Sequence, residues 1–583
     1  MRSAAQTLVD QLLIHGCDHV FCVPGESYLP VLDALYLQRE RIKLIVNRHE
    51  SGSGFMAEAY GKLTGKPGVA MVTRGPGATN ISIAVHTAHQ DSTPMIVFIG
   101  QVGSDMFERE AFQEVDYRFM FARLAKWVAQ IDRAERIPEF IARAYSVAQS
   151  GRPGPVVLAL PEDMLSQQVD VADARPAQVV QASPASADLA RLSALLTEAK
   201  NPLVIAGGPG WTRAACKDLR TFIEAWNLPI ACAFRFQDTF DHAHANYVGD
   251  VGIGINPALA KRVKEADVLL VLGARLGEMT TSGYMLLEVP TPKQALIHVH
   301  ADVNELNRVY QAALPIASGM PQIAAALAAL IASPASRGSS GEFAASAPRP
   351  ESSKPPASGA VDGLGWGSTV QTARTAYEAW QQEPKTTRDS RFNLWHVVQT
   401  LRKHLPASTL IANGAGNFAT WAHRFWRYGG IEHHGRTQLA PTSGAMGYGM
   451  PAGIAAALIE PHKQTVIFAG DGDYMMTGQE LATAVQCGAA PLILVFNNGL
   501  YGTIRMHQAR DFPGHISGTQ LANPNFAQLA HAYGAWGLRI SSDQDFEDAL
   551  GQALAHLRTH NTPALIELMT DPQLIAPGMR LTD

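Results

Sequence analysis

Two polar groups stand directly after two apolar runs in the last third of the sequence. Asp471 follows the run 465–469, and Asn498 follows the run 492–496, with a helix-like segment, 478–487, between them. Short runs rich in β-branched residues around such a segment predict neighbouring parallel strands of a βαβ unit. Carboxyl ends of parallel strands lie side by side, so a carboxylate and an amide meet there. That pair suits a divalent cation bound to a diphosphate, and Mg²⁺ is predicted.

Taken together, Asp471-Gly472 and Asn497-Asn498 resemble the GDG…NN signature of thiamine diphosphate enzymes. Either half alone is ordinary turn chemistry, because Gly, Asp and Asn are common turn formers. The resemblance implies that Mg²⁺ is held by Asp471, Asn498 and the backbone carbonyl of Leu500. It also implies that thiamine diphosphate is the cofactor, with Gly472 and Asp473 among the residues that bind it.

A second segment carries a candidate for the group that would activate such a cofactor. Arg48-His49-Glu50 follows the apolar run 42–46 and resembles the family segment that carries the activating glutamate. The resemblance implies that Glu50 binds N1′ of the aminopyrimidine and favours its imino tautomer, so that the cofactor removes its own C2 proton. The alternative is an ordinary first-turn helix carboxylate that the helix dipole favours.

Glycine-rich segments elsewhere complete the cofactor pattern. The segment 73–80 resembles the SGPGATN segment of acetolactate synthases, and 442–449 resembles the family segment G-x-M-G-x-G-x-P. The latter resemblance implies that Met446 props the bent cofactor and that the Gly444 carbonyl accepts a hydrogen bond from the 4′-amino group. Met446 alone would indicate only a core residue. Glycines and an amide after another apolar strand suit diphosphate oxygens. The remaining residues predicted at the cofactor are Gly25, Gly75, Asn80, Gly416, Asn417 and Phe418.

The order of these segments predicts the architecture. The 583 residues exceed one hydrophobic core, and strands alternate with helices, so we expect an α/β fold of three doubly wound domains with mainly parallel sheets. A stretch dense in Ser, Pro, Gly and Ala separates the last two domains and cannot order itself. The predicted parts are a pyrimidine-binding domain 1–165, a central Rossmann-like domain 190–332, a flexible linker 333–390, a diphosphate-binding domain 391–560 and a C-terminal tail 561–583.

Composition excludes several classes of function. The chain is 46% hydrophobic and 17% charged with a net charge of -5, which does not indicate nucleic-acid binding. No apolar run is long enough to span a membrane, and the N-terminus reads as an amphipathic helix rather than a secretory signal. Five scattered cysteines indicate reduced thiols, so a cytoplasmic location is expected.

Over nearly the whole chain, the resemblance is to the large subunits of acetolactate synthase. It implies decarboxylation of a 2-oxo acid such as pyruvate, followed by carboligation to a second carbonyl compound. It also implies a homodimer or homotetramer, in which Glu50 of one subunit and Asp471 of another complete each site. Gln113, in an AFQE segment, is expected to face a reacting oxygen, and His507 takes the place of the family's pocket Trp.

Three departures from the family lie at the substrate end of the predicted site. Glu162 stands where biosynthetic acetolactate synthases usually carry Lys, Glu26 lies in a loop that is PGGA in the family, and His507 replaces a Trp. They leave open a thiamine-dependent C–C lyase or decarboxylase of another substrate, such as a 2-hydroxyacyl-CoA or oxalyl-CoA. A non-catalytic, thiamine-binding regulatory subunit is disfavoured because Glu50 and Asp471 are both present.

The central domain carries a candidate nucleotide site. Acetolactate synthases bind FAD in this domain, whereas some relatives hold ADP or nothing. Gly207 lies in a glycine-rich turn that is not the strict dinucleotide fingerprint, Arg275 belongs to a GxRF-like segment, and Asp302 keeps the second acidic position of the family's HIDID segment. The sequence favours FAD slightly, and ADP or an empty site stays open.

Overall fold

The computed structural model describes residues 1–332, 366–387, 390 and 392–581, so most of the predicted linker lies outside the described residues. The chain divides into two compact units. One comprises Met1–Val180, Gln381–Gly429 and Arg436–Asp583, and the other comprises Gln181–Trp380 and Gly430–Gly435.

The N-terminal part of the first unit is a six-stranded parallel sheet with the strand order β3-β2-β4-β5-β7-β6. Its central strands are apolar and buried along their whole length, as expected where helices cover both faces. A two-stranded antiparallel pair, β1 with β8, lies outside that sheet. The strands are β1 (Arg2–Ser3), β2 (His19–Cys22), β3 (Lys43–Val46), β4 (Gly68–Val72), β5 (Met95–Gln101), β6 (Trp127–Gln130), β7 (Pro155–Pro161) and β8 (Gln168–Val169). The helices are α1 (Ala4–Ile14), α2 (Leu29–Leu37), α3 (Glu50–Thr64), α4 (Gly75–Asp91), α5 (Tyr117–Met120), α6 (Ile137–Gln149) and α7 (Glu162–Leu165).

The second unit holds another six-stranded parallel sheet, ordered β11-β10-β9-β12-β13-β14, which is the Rossmann order. Its strands are β9 (Leu203–Ala206), β10 (Ile230–Cys232), β11 (Tyr247–Asp250), β12 (Val268–Leu272), β13 (Ala295–His300) and β14 (Leu314–Ala317). Its helices are α8 (Ser186–Glu198), α9 (Arg213–Trp226), α10 (Pro257–Glu265), α11 (Met320–Ala332) and α12 (Gly367–Trp380).

The C-terminal part of the first unit repeats the topology of the N-terminal sheet in the order β16-β15-β17-β18-β20-β19. The strands are β15 (Leu410–Asn413), β16 (Gln438–Leu439), β17 (Thr465–Gly470), β18 (Leu492–Asn497), β19 (Trp536–Ile540) and β20 (Ala564–Met569), followed by the antiparallel pair β21 (Leu574–Ala576) and β22 (Met579–Arg580). The helices are α13 (Leu394–His404), α14 (Ala419–Phe425), α15 (Ile431–His434, in the second unit), α16 (Gly449–Ile459), α17 (Asp471–Thr477), α18 (Glu480–Cys487), α19 (Gly502–Asp511), α20 (Phe526–Ala532) and α21 (Phe546–His560).

Each sheet has one point where the chain changes its direction of winding. The change falls between β2 and β4 in the first sheet, between β9 and β12 in the second and between β15 and β17 in the third. Ligands of open α/β sheets bind in the crevice at the carboxyl ends of the strands beside that point. The topology therefore marks three crevices, one in each sheet.

The α/β class and the parallel sheets are as predicted, whereas several boundaries differ. β20 extends the third sheet past residue 560, where the tail was expected to begin, because its apolar residues pair with both β18 and β19. α12 occupies part of the predicted linker, with Val370, Ala373 and Tyr377 buried on one face. The helix-like segment 478–487 is α18 (Glu480–Cys487), as predicted, and a further helix, α17, begins at Asp471, so the predicted metal carboxylate lies in the first turn of a helix.

A buried ionic network joins the N-terminal and C-terminal parts of the first unit. The Lys62 ammonium donates to Asp91 and to the Ala440 carbonyl at 2.9 Å, and its nitrogen lies 3.2 Å from Glu58 Oε1. Tyr448 donates to Glu58 from the opposite side at 2.5 Å. These side chains are almost fully buried, so the single cation offsets two carboxylates that water does not reach.

Replacing Lys62 by Met is expected to lower the free energy of unfolding by about 3–5 kcal/mol, because it leaves two buried carboxylates without a cation. A urea titration measures this loss. Lys403→Met is the matched control, since Lys403 forms an ion pair with Glu547 at the surface and its loss is expected to cost no more than about 1 kcal/mol. Equal unfolding midpoints for the two variants would contradict the role given to the network.

Candidate active site

The structure brings the predicted metal residues of the third sheet together. Asp471 follows β17, and its side chain is 3% exposed. Its Oδ1 accepts from its neighbour Gly472 N–H at 2.9 Å, and its Oδ2 accepts from the Gly499 N–H at 2.8 Å. Gly499 stands between Asn498 and Leu500 in the turn after β18, so the carboxylate is fixed against the segment that carries the other two predicted ligands. Burial raises the pKa of Asp471, and the N–H donors oppose that shift.

The turn after β18 is itself well defined. Asn498 Oδ1 accepts from the Leu500 N–H at 3.0 Å, and the Leu500 carbonyl accepts from the Gly502 N–H at 2.9 Å. Each oxygen keeps a second lone pair. A carboxylate, an amide oxygen and a carbonyl form the oxygen-only donor set that Mg²⁺ prefers, so these residues can hold that ion.

Sequence analysis did not single out Asn523. Its side-chain amide donates to Asp471 Oδ2 at 2.8 Å and to Asn497 Oδ1 at 2.9 Å. It thereby ties the carboxylate after β17 to the end of β18. An isolated Asn in a Pro-containing loop carries no sequence signal that distinguishes it from a turn former.

Asp473 bridges the crevice of the third sheet. Its Oδ1 accepts from the Ala415 N–H and from the Gly447 N–H, both at 2.9 Å, while its Oδ2 is buried and accepts no hydrogen bond from any residue that the structure describes. Gly414 must lack a side chain here, because a Cβ would lie 2.0 Å from Oδ1. Asp473 therefore holds the loop after β15 and the turn before α16 in one arrangement.

Burial raises the pKa of Asp473 to about 7, from an ordinary value of 3.8. A carboxyl that binds its proton more tightly in the folded chain stabilises that chain at low pH, and the contribution is lost as pH rises towards 7. Stability of the metal-free protein should therefore fall between about pH 4 and pH 7, with a slope of at most about 1.4 kcal/mol per pH unit from this group. Urea midpoints across that window test this expectation. Asp473→Asn should remove this contribution and so reduce the slope, whereas the exposed control Asp548→Asn should preserve it.

Gly416, Asn417 and Phe418 lie after β15, beside this crevice. The Asn417 N–H donates to Thr503 Oγ1 at 3.2 Å, which links the loop to helix α19. The Phe418 ring fills the space that a Cβ on Gly416 or on Gly470 would need, at 2.7 Å from each. Gly416 has a φ of +154°, which favours glycine. The backbone of this loop is thus packed closely against the Phe418 ring.

The remaining predicted residues of this half lie around the same edge. Gly444, with a φ of +67°, is exposed, and Met446 is half-buried in the turn that precedes α16. Gly472 permits close contact with Tyr501, whose ring carbon would be 2.4 Å from a Cβ. His507 is different: it lies on an exposed part of α19, where its Nδ1 is 3.1 Å from Arg510. The described contacts do not bring His507 to the crevice.

Glu50 is the first residue of helix α3, at the carboxyl edge of the first sheet. Its Oε2 accepts from the Asn80 side-chain amide at 2.9 Å, so two predicted cofactor residues from neighbouring helices are in contact. The segment before Glu50 is held by Glu480, which is fully buried and accepts from the His49 N–H at 3.0 Å and from Asn47 Nδ2 at 3.0 Å. Sequence analysis missed Glu480 because its partners are more than 400 residues away.

Three further predicted residues lie at the same edge. Gly25 follows β2 and packs so closely on Thr73 that a Cβ added to Gly25 would lie 2.5 Å from the Cβ of Thr73. Gly75 is the first residue of helix α4, and its N–H donates to the Gln113 carbonyl at 3.0 Å. Gln113 has a φ of +66°, which is uncommon for a residue with a side chain. The loop that carries Gln113 is thereby joined to the start of α4.

The sequence of this chain matches three domains of one known enzyme family. The chain matches the description "Thiamine pyrophosphate enzyme, N-terminal TPP binding domain" over residues 2–120, the central domain of the same enzymes over 189–329, and their C-terminal TPP binding domain over 414–568. A large subunit of acetolactate synthase from Lactococcus lactis is 30% identical over 97% of this chain and 92% of its own length. The chain belongs to the thiamine pyrophosphate enzyme family.

Other relatives of this thiamine pyrophosphate enzyme carry the same description. The acetolactate synthase large subunit of Corynebacterium glutamicum is 28% identical over 94% of this chain and 84% of its own length. The isozyme 3 large subunit of Escherichia coli is 28% identical over 98% and 95%. The three matched domains correspond in order to the three parallel sheets, so the two thiamine-binding domains are the two parts of the first unit.

The second unit of this thiamine pyrophosphate enzyme places its three predicted nucleotide residues at one sheet edge. Gly207 follows β9, Arg275 follows β12, and Asp302 follows β13. Arg275 pairs with Glu305 at 3.3 Å, and Asp302 Oδ1 accepts from the Asn304 N–H at 2.9 Å. Gly208 must lack a side chain, because a Cβ at this position would lie 2.0 Å from the Gly273 carbonyl oxygen. The backbones of two strands therefore meet at the switch point, where a dinucleotide binds in folds of this order.

The part of the chain covered by the structure has no helix that is both long enough and apolar enough to cross a lipid bilayer. The five cysteines are free thiols, and four of them are buried.

Proposed function

We propose that this enzyme uses thiamine diphosphate and Mg²⁺ to decarboxylate a 2-oxo acid of the pyruvate type and to join the remaining acyl unit to a second carbonyl compound. The observation that carries the proposal is the Asp471 carboxylate bonded to Gly499, between Asn498 and Leu500. The names of the relatives, which are acetolactate synthases, support the pyruvate-type donor.

Different residues of the chain bind the cation, the diphosphate and the aminopyrimidine ring in this proposal. Asp471, Asn498 and Leu500 hold the cation. Gly416, Asn417 and Phe418 face the diphosphate, together with Gly472 and Asp473. When bound, the cofactor supplies a thiazolium that stabilises negative charge at the reacting carbon. Glu50 holds the proton at N1′ of the aminopyrimidine, and Asn80 keeps the carboxylate of Glu50 in place. Gly444 and Met446 orient the ring, and Gln113 faces the substrate. His507 has no part in this arrangement, because it lies on an exposed part of α19.

We propose that the active sites are shared between subunits of a homodimer or homotetramer. In that arrangement Glu50 and Asp471 of one chain serve different sites. Co-expressing Glu50→Gln with Asp471→Asn then yields mixed dimers in which one site carries both changes and the other carries neither, so activity returns. Activity that stays absent in verified mixed dimers would contradict sharing.

The carboxyl edge of the second unit supports FAD as an additional ligand, held by the segments that carry Gly207, Arg275 and Asp302. Purified protein should then absorb near ~450 nm, as flavins do, and denaturation should release flavin. If ADP is released and the protein does not absorb near ~450 nm, the ligand of this site is ADP and not FAD.

A product screen tests the proposed reaction. The holoenzyme is incubated with a panel of 2-oxo acids, with and without acceptor aldehydes, and the products are identified by mass. Release of CO₂ and a carboligation product from pyruvate or a close analogue is expected. Turnover of an acyl-CoA with no product from any 2-oxo acid would instead establish the lyase alternative. Protein stripped of cation and cofactor is the control.

A further inference from the structure

A charged cluster lies across the crevice of the first sheet. Glu26 follows β2 and Arg74 follows β4, so these residues stand on the two strands that flank the switch point. Glu162 follows β7 at the same carboxyl edge, and Glu50 follows β3, the neighbour of β2. The cluster therefore lies at the same carboxyl edge of the sheet as Glu50.

Arg74 is the centre of this cluster. Its side chain is 9% exposed, its Nη2 donates to Glu26 Oε1 at 2.8 Å, and its Nη1 lies 3.9 Å from Glu162 Oε2, beyond hydrogen-bonding distance. Its Nε–H is buried and finds no acceptor among the residues in the described ranges. A buried guanidinium that keeps an unused donor has capacity for an oxygen atom of a ligand.

The two carboxylates differ from Arg74 in their access to solvent. The Glu26 side chain is 68% exposed and that of Glu162 is 36% exposed, so their free oxygens can accept hydrogen bonds from an incoming molecule. One guanidinium and two carboxylates leave the cluster with a net negative charge. That charge disfavours a second carboxylate, whereas the mixture of strong acceptors and a donor suits hydroxyl and carbonyl groups.

We propose that Arg74, Glu26 and Glu162 select an uncharged, hydroxyl-bearing carbonyl compound as the second substrate, in preference to a second 2-oxo acid. This inference rests on the proposed function and names its acceptor. The C–CO₂ bond of the donor breaks and CO₂ leaves, a C–C bond forms to the carbonyl carbon of the acceptor, and one proton is taken up on the acceptor oxygen. The donor's own carboxylate is lost in this reaction, so only an acceptor carboxylate would stay against the cluster.

Equilibrium binding isolates the effect of charge. Glyceraldehyde and glycerate share two hydroxyl groups and differ in the carboxylate, and each is titrated calorimetrically into the holoenzyme without a donor. We expect glyceraldehyde to bind about fivefold more tightly, the upper range for partly exposed charge pairs. The double variant Glu26→Gln, Glu162→Gln keeps the acceptor oxygens and should remove the difference. The control Glu135→Gln, Glu139→Gln neutralises two exposed, Arg-paired carboxylates of the same unit and should preserve it.

Turnover gives a second, separable result. With pyruvate as donor, the product that contains glyceraldehyde should exceed the product of two pyruvates, and the Glu26, Glu162 double variant should reduce that ratio about fivefold. If no 2-oxo acid releases CO₂, the proposed function fails while the binding experiment still decides the inference. Equal affinity for glyceraldehyde and glycerate, or undetectable binding of both, overturns the inference.

Discussion

Glu50→Gln is expected to lower turnover by at least about 10³-fold while the affinity for thiamine diphosphate changes by no more than about tenfold. The charge of Glu50 matters in the proton transfer at N1′, and general acid–base groups contribute about 10²–10⁴-fold. Gln keeps an oxygen that can accept from Asn80, as Glu50 does at 2.9 Å, so the local geometry should persist. Steady-state kinetics give the loss of turnover, and cofactor titration gives the affinity.

Glu40→Gln is the matched control for this experiment. Its side chain is 89% exposed and lies 3.8 Å from Arg39 at the surface, so both activity and cofactor affinity should match the unmodified enzyme. Full activity of Glu50→Gln would show that another group activates the cofactor. A collapse of cofactor affinity in that variant would assign Glu50 a binding role in place of the catalytic role.

Asp471→Asn is expected to weaken Mg²⁺ binding by more than about 100-fold, and with it the binding of thiamine diphosphate. Loss of even an outer-shell partner of a metal site costs about 10–100-fold in affinity, and this variant removes the only charged ligand of the predicted set. Asn can still accept through Oδ1, but its amide nitrogen cannot accept from both the Gly499 N–H and Asn523, as Asp471 Oδ2 does at 2.8 Å from each. Titration of the apoprotein with Mg²⁺ at fixed cofactor concentration measures the effect.

The control Asp511→Asn removes a carboxylate that pairs with Arg510 on the surface of α19, and Mg²⁺ affinity should not change. Unaltered Mg²⁺ affinity in Asp471→Asn would contradict the assignment of the metal site. If Mg²⁺ affinity falls and the urea midpoint stays constant, the loss belongs to the site and not to the stability of the fold.

Much of the fold follows from the sequence. Buried parallel strands are apolar along their whole length and are spaced by helices, so β17 and β18 could be recognised from local pattern alone. The boundaries of the C-terminal tail and of the linker do not follow from the sequence, because they depend on which strands pair and on what the helices pack against. Residues 561–583 are expected to form a tail, although β20 lies in the sheet between β18 and β19. The linker is expected to include α12, although Val370, Ala373 and Tyr377 of that helix are buried in the second unit.

The candidate site divides in the same way. Asp471, Asn498 and Glu50 carry chemistry that spacing and strand ends make visible, and the structure places each at the carboxyl edge of a sheet. His507 was predicted to face the substrate, and the structure places it on the exposed part of a helix. The role of His507 stays a prediction, which rests only on its position where the family has a pocket Trp.

The sequence by itself determined which side chains follow which strands, because that information is local and is written in the alternation of apolar runs and polar turns. Only the tertiary structure decided which distant groups support them. Glu480 holds the segment before Glu50, Asn523 ties Asp471 to Asn497, and Arg74 meets Glu26 across the switch point. These contacts join residues far apart in the chain, and their geometry is set by the winding of each sheet and by the packing of one sheet's helices on another, which no local pattern encodes.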